Sequence, residues 1–114
     1  MRKRIFQVNE LIKREIGQIL QKEIEFPADF LVTVTRVENS ANLQEAKIYI
    51  SVMPEKDSQR IFKILESQIY FLQQKLNKRL KMRPVPKIRF LREKMVSEAN
   101  RVEEILEELK KEKK

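Results

Sequence analysis

The chain has 114 residues, of which 25 are Lys or Arg and 17 are Asp or Glu, so its formal net charge is +8 at pH 7. The absence of Cys and His excludes a disulfide framework, a thiolate metal site and the usual general base near neutral pH. This length accommodates one compact domain, and the basic balance favours an anionic partner, either nucleic acid or a lipid surface.

Several classes of protein are disfavoured by what the sequence lacks. No apolar run approaches the roughly 18 residues of a membrane span, and the basic start MRKRIFQVNE lacks the apolar segment of a secretory signal. A single Gly excludes a glycine-rich phosphate loop, and acidic residues such as Glu10 and Glu107 precede basic ones by four positions, as solvated helix pairs do. We expect a soluble cytoplasmic protein that is not an enzyme and binds no metal or cofactor.

The first predicted helix covers residues 4–22, where apolar side chains recur at spacings of three and four. Gly17 interrupts this helix at a cost of about 1 kcal/mol relative to Ala, and close backbone packing is the expected reason. Arg2, Lys3 and Arg4 begin the helix, where the macrodipole is also positive. That placement suits an anion docking at this end, and a frayed, solvated terminus is the alternative.

Two strands are predicted next, at residues 30–37 and 46–53, because both segments are rich in β-branched residues and alternate with a period of two. In the first strand the two expected faces carry Val32 and Val34 on one side and Thr33 and Thr35 on the other. In the second, the inward side carries Ala46, Ile48, Ile50 and Val52. A polar connector separates the strands, which predicts an antiparallel hairpin with a long loop.

A second helix is predicted to follow a cap at Asp57 or Ser58, with an apolar stripe that runs from Ile61 to Leu80. Its length favours a kink near the middle, although neither Pro nor Gly marks the place. Among the aromatic residues Tyr49 is the best candidate for stacking on a base, because it lies on the polar face of its strand. Four other rings are weaker candidates, and Phe62 is expected in the core: Phe6, Phe62, Tyr70 and Phe71.

A proline turn at residues 82–86 leads into a short third strand around Ile88 and Phe90, and Ser97 can cap a last helix. This order predicts an α+β two-layer domain with helices on one face of a three-stranded mixed sheet. We expect residues 1–95 to form the domain and residues 96–114 to form a C-terminal helix and basic tail.

One stretch, Lys75–Arg92, is rich in basic residues and contains no acidic residue. Basic side chains fixed on one surface bind phosphates without sequence preference, because they displace counterions. A run of this kind most often forms a solvated helix face. Because no acidic residue is interleaved here, we favour a surface that binds a polyanion. Its basic residues are Lys75, Lys78, Arg79, Lys81, Arg83, Lys87, Arg89 and Arg92.

The element order resembles that of a type II KH domain, an RNA-binding fold whose GxxG loop this chain lacks. Residues 2–106 resemble the ribosome-binding factor A family, bacterial small-subunit maturation factors with a KH-like domain that also lacks GxxG. The segments that carry the resemblance are, in order, RIFQVN from Arg4, EIGQIL from Glu15, VTVTRVE from Val32, NL from Asn42 with AKIYISV from Ala46, KRLKMRPVPKIRF from Lys78, and RVEEIL from Arg101.

The sequence departs from the family pattern at three places. The family has Ala-x-Gly where its long helix kinks, and this chain has Ser67, Gln68 and Ile69 there. The segment that begins at Glu93 replaces an acidic-x-Ser motif, and Ala99 replaces a glycine before the last helix. The sequence alone therefore does not decide whether the long helix bends.

The resemblance implies a monomeric factor that is not an enzyme. Such a factor binds the immature 30S ribosomal subunit, contacts 16S rRNA near its 5′ end and the decoding region, and assists late rRNA processing. It also implies a link to cold adaptation and release by a ribosome-associated GTPase. For such a factor we expect the basic N-terminus and the basic stretch to hold the RNA phosphates, through Arg2, Lys3, Arg4, Lys75, Lys78, Arg79, Lys81, Arg83, Lys87 and Arg89.

Three other functions are compatible with the same residues. The first is a general KH-type RNA-binding module that is not specific to the ribosome. The second is a protein-interaction domain whose basic surface meets an acidic partner. A metabolic enzyme is the most distant of the three, because the chain lacks the residues for a nucleophile–base pair.

Overall fold

The computed structural model describes residues 2–93, so the predicted helix after Ser97 and the domain boundary at residue 95 lie outside the described residues. The elements are helix α1 (Arg2–Glu23), strands β1 (Leu31–Asn39) and β2 (Glu45–Met53), helices α2 (Gln59–Ser67) and α3 (Ile69–Arg79), and strand β3 (Lys87–Arg92). The predicted α+β order is confirmed, and the long second helix is divided in two. None of the described helices is long and apolar enough to cross a membrane.

The sheet is mixed, as predicted, with the order β1-β2-β3. Strand β1 pairs antiparallel with β2, and β3 lies parallel to β2 on its other side. The pairing of β1 shifts between Val34 and Arg36, because Thr35 forms a bulge. The expected alternation therefore holds only through the half-buried Val34, and Val37 is the one buried position of this strand.

The core fills the space between the helices and one face of the sheet. Every inward position predicted for β2 is buried, and α1, α2 and α3 each contribute buried residues of their apolar stripes beside half-buried ones such as Val8, Ile64 and Ile69. Burial of each Ile or Leu stabilises the fold by about 1.5–3 kcal/mol. The buried set includes Ile12, Ile16, Ile19, Leu20, Ala46, Ile48, Ile50, Val52, Ile61, Leu65, Leu72, Leu76, Ile88 and Phe90. Phe62 is half-buried and packs against this core, as expected.

Gly17 does not have the role that the sequence suggested. A Cβ built on Gly17 would meet no heavy atom within 4 Å from the residues around it. The expectation of close backbone packing at Gly17 is therefore wrong. The residue instead lines a groove between α1 and β1 whose apolar lining includes Leu20, Val32 and Val34.

The long helix is interrupted at Gln68, whose φ of −106° and ψ of 7° separate α2 from α3. The Oγ of Ser67 donates to the carbonyl of Ile64 at 2.7 Å, and the backbone N–H of Gln68 bonds the carbonyls of Ile64 and Leu65. A serine that bonds the carbonyl of the preceding turn bends a helix, so this break requires neither Gly nor Pro. It falls within the segment that replaces the family's Ala-x-Gly.

The cap predicted at the start of α2 is not made. Ser58 occupies the N-cap position, but its side chain makes no capping hydrogen bond. The Oγ of Ser58 instead accepts a hydrogen bond from Nη2 of Arg92, and Asp57 lies one residue too early with a φ of 66°. This hydrogen bond joins the buried Ser58, at the start of α2, to Arg92 at the end of β3.

Candidate nucleic-acid interface

The basic stretch occupies the last turns of α3, the proline turn and the whole of β3. Its basic side chains are exposed except for Lys75, which is half-buried, and α3 itself contains no acidic residue. The stretch thus forms one continuous edge of the domain, as the sequence suggested. The partners of the individual side chains decide how much of its charge is available.

Two of these cations form ion pairs with acids on α1. Nη1 of Arg79 lies 3.0 Å from Oε2 of Glu15 and donates to Oε1 of Gln18, while Nζ of Lys75 lies 3.6 Å from Oε1 of Glu23. The later residue of α3 pairs with the earlier residue of α1, so the two helices run antiparallel. Exposed pairs of this kind stabilise a fold by about 0–1 kcal/mol, but they lower the local positive charge.

Two arginines beyond α3 are also engaged. The Nη1 of Arg83 donates to the carbonyls of Leu80 and Met82, both at 2.7 Å, so its guanidinium satisfies acceptors at the end of α3 and in the turn. The Nη1 of Arg89 lies 3.6 Å from Oε1 of Glu45 on the neighbouring strand. Although the stretch itself contains no acidic residue, acidic residues on other elements therefore pair with part of its charge.

Three lysines of the stretch have no carboxylate partner within residues 2–93, and we refer to Lys78, Lys81 and Lys87 as the open lysines. All three are exposed. They stand at the last turn of α3, in the turn that follows it, and at the first residue of β3. These side chains can bind phosphates without first giving up an ion pair.

Gln73 holds the turn and β3 against α3, and the sequence did not single it out. Its Nε2 donates to the carbonyl of Pro86 at 3.1 Å and to Oδ1 of Asn77 at 3.0 Å. Its Oε1 accepts from the backbone N–H of Ile88 at 2.9 Å. A half-buried glutamine beside a stripe of leucines gives no periodic signal, so only the structure reveals that Gln73 holds the backbone on both sides of Lys87.

Lys3 and Arg4 form a separate basic patch. Both side chains are exposed on the first turn of α1; the side chain of Arg2 lies outside the described part. They lie roughly 17 Å along the helix axis from Glu15, the residue that Arg79 contacts, because each residue advances a helix by about 1.5 Å. Lys3 and Arg4 are therefore separate from the basic residues at the end of α3.

Tyr49, the favoured stacking residue, is partly covered. The guanidinium of Arg36 lies 3.7 Å from the centroid of its ring, and Nε of Arg36 donates to Oε1 of Glu93 at 2.9 Å. Arg36 also pairs with Glu38. The hydrogen bond to Glu93 raises the pKa of Arg36 above its usual value, so the cation over this ring stays charged. One face of Tyr49 is therefore unavailable to a base.

The comparison with known proteins agrees with this architecture. The family model described as ribosome-binding factor A matches residues 4–106. Ribosome-binding factor A of Thermodesulfovibrio yellowstonii is 33% identical over 109 residues, which cover 96% of this chain and 92% of that protein.

A crystal structure and a homology model fitted into a cryo-EM map share the fold. The crystal structure of ribosome-binding factor A from Thermus thermophilus superposes with a TM-score of 0.67 at 25% identity, covering 77% of this chain and 93% of that one. A homology model of the Thermus thermophilus factor, fitted into the cryo-EM map of its 30S complex, gives a TM-score of 0.63 at 26% identity, covering 73% and 88%. With its family match spanning nearly the whole sequence, the chain belongs to the ribosome-binding factor A family.

Proposed function

We propose that the protein binds the immature 30S ribosomal subunit in the cytoplasm and assists late processing and maturation of 16S rRNA. The observation that carries this proposal is the likeness, at a TM-score of 0.63, to the Thermus thermophilus chain that was fitted into a 30S complex. The protein acts by binding, as a monomer, and not by catalysis. A ribosome-associated GTPase releases it once maturation is complete.

The basic edge supplies the contact with rRNA in this proposal. Each phosphate that a lysine neutralises releases counterions and adds about 0.9 to the slope of log K against log salt for a duplex, or about 0.7 for a single strand. The open lysines contribute first, because they need not break an existing pair. The full set of proposed contacts is Arg2, Lys3, Arg4, Lys75, Lys78, Arg79, Lys81, Arg83, Lys87 and Arg89.

The fold keeps this edge in a fixed shape. Gln73 binds both the turn and β3, and Arg83 satisfies the carbonyls of Leu80 and Met82. A binding surface that is already ordered loses less conformational entropy when it meets its partner. Rigid placement of charge thus takes over the part that a GxxG loop plays in other KH domains.

Sedimentation through sucrose gradients tests the proposed partner. The protein is mixed with immature 30S subunits, mature 30S subunits or 50S subunits, each in the presence of excess non-ribosomal RNA. We expect it to migrate with immature 30S subunits and to remain there under competition. Equal competition by arbitrary RNA would indicate a general RNA-binding module, and binding that survives nuclease treatment of the subunit would indicate an acidic protein partner.

A further inference from the structure

Tyr70 presents an aromatic ring to solvent directly after the helix break. Its relative exposure is 76%, compared with 62% for Phe6 and 38% for Phe71. It is the second residue of α3, two positions after Gln68. A ring this exposed adds little to the core, so the free energy of folding does not account for its place on the surface.

Four other aromatic rings carry a cation over one face. The pairs, with their distances to the ring centroid, are Arg36 over Tyr49 (3.7 Å), Lys75 over Phe71 (5.4 Å), Arg92 over Phe62 (5.6 Å) and Arg60 over Phe30 (5.9 Å). In the part of the chain that the structure describes, Tyr70 has no such partner and its hydroxyl makes no hydrogen bond. Its ring, in a residue that is 76% exposed, is therefore accessible to a ligand.

The same face of α3 carries two further exposed side chains. Tyr70, Gln74 and Lys78 are spaced by four residues and therefore line one side of the helix over about 12 Å. The strip combines an aromatic ring, a carboxamide and an ammonium group, and no acidic residue of α3 interrupts it. These groups match, respectively, the face of a base, the polar edge of a base and a phosphate.

We propose that Tyr70 stacks on an unpaired base of a single-stranded rRNA segment that lies along α3, with Lys78 on a phosphate of the same segment. This inference rests on the proposed function and names the form of RNA that the site accepts. Single-stranded RNA is the occupant because bases inside a duplex are already stacked on both faces, and because α3 offers positive charge without acid.

Binding of immature 30S subunits by three variants of Tyr70 tests the stacking. Tyr70→Ala should weaken binding about fivefold or more at every salt concentration, with the salt slope unchanged. Tyr70→Phe keeps the ring and should bind within about twofold of wild type, while Tyr70→Leu should resemble Tyr70→Ala. Lys78→Ala should show the opposite signature, with a slope lower by about 1.

Circular dichroism and thermal melts of each variant verify that the fold is intact. Wild-type affinity in Tyr70→Ala would overturn the inference, and full affinity in Tyr70→Leu would indicate an apolar contact with a protein. Either result would leave the proposed function standing. If the wild-type protein fails to prefer immature 30S subunits over competitor RNA, the proposed function fails instead.

Discussion

Arg79 on α3 and Glu15 on α1 form an ion pair, with Nη1 of Arg79 3.0 Å from Oε2 of Glu15. The side chain of Arg79 is 31% exposed and that of Glu15 is 18% exposed, so the pair sits at the rim of the helix interface. It joins the two helices and at the same time reduces the charge that Arg79 can offer to a phosphate. The basic edge therefore includes cations that are paired with carboxylates, such as Arg79, and the open lysines, whose charge no carboxylate within residues 2–93 neutralises.

Removal of the Glu15 carboxylate should strengthen RNA binding. In Glu15→Gln the guanidinium of Arg79 is released to a phosphate, and we expect affinity for immature 30S subunits to rise about threefold, the share of one phosphate contact. Stability should fall by at most about 1 kcal/mol. Glu25→Gln changes the net charge equally at an exposed site and serves as the control; an equal gain in both variants would contradict this role of the pair.

Gln73 should be important for stability, unlike its neighbour Gln74. Gln73→Ala leaves the backbone N–H of Ile88 without its acceptor, and we expect the free energy of unfolding to fall by about 1–3 kcal/mol in urea titrations. Gln74 is exposed, so Gln74→Ala should change stability by less than about 0.5 kcal/mol. Equal effects of the two substitutions would mean that Gln73 does not hold β3 against α3.

Gly17→Ala should stabilise the protein. A methyl group at this position meets no neighbour within 4 Å, and alanine is favoured over glycine inside a helix by about 0.5–1 kcal/mol. The adjacent change Ile16→Ala removes a fully buried side chain and should cost about 2–5 kcal/mol. Thermal unfolding, monitored by circular dichroism, distinguishes the expected gain in stability from the expected loss. A loss of stability in Gly17→Ala would reveal a contact that the structure does not contain.

Binding through side chains should be nearly independent of pH between about 6 and 9, because the sequence contains no His or Cys. The pKa of Arg36 is raised above its already high usual value, so the stability from its charged form is present throughout this range and is lost only far above it. The variant Lys78→His places a titratable imidazole in the proposed interface. That variant should bind nearly as wild type at low pH and weaken as the pH rises through the imidazole pKa, whereas a flat profile would remove Lys78 from the interface.

Most of the fold could be predicted from local sequence patterns. The period of two in β2 predicted the burial of Ile48 and Ile50, because alternation along a strand needs no information from elsewhere in the chain. The length of the second helix favoured a kink near its middle, and the resemblance pointed to Ser67, Gln68 and Ile69, but no local pattern marked Gln68 as the break. Its cause, a bond from Ser67 to the carbonyl of Ile64, involves a residue type that is also common in straight helices.

The candidate site was less accessible to such reasoning, because its charges are set by contacts between distant residues. Arg79 and Glu15 are 64 positions apart, and no spacing in the basic stretch indicates their pairing. The covering of Tyr49 by Arg36 depends on the bulge at Thr35, which shifts the register of β1. Inspection of the run alone therefore overstated its free charge, and the strand pattern alone favoured Tyr49 over the exposed Tyr70.

The most direct test measures the salt dependence of binding to immature 30S subunits for two charge-matched triple variants. One replaces the open lysines Lys78, Lys81 and Lys87 by Glu; the other replaces Lys22, Lys56 and Lys63 by Glu, which are also exposed and are not among the proposed contacts. We predict that the first lowers the slope of log K against log salt by about 2–3, whereas the second leaves it near wild type. Equal slopes in the two variants would contradict the assignment of the interface.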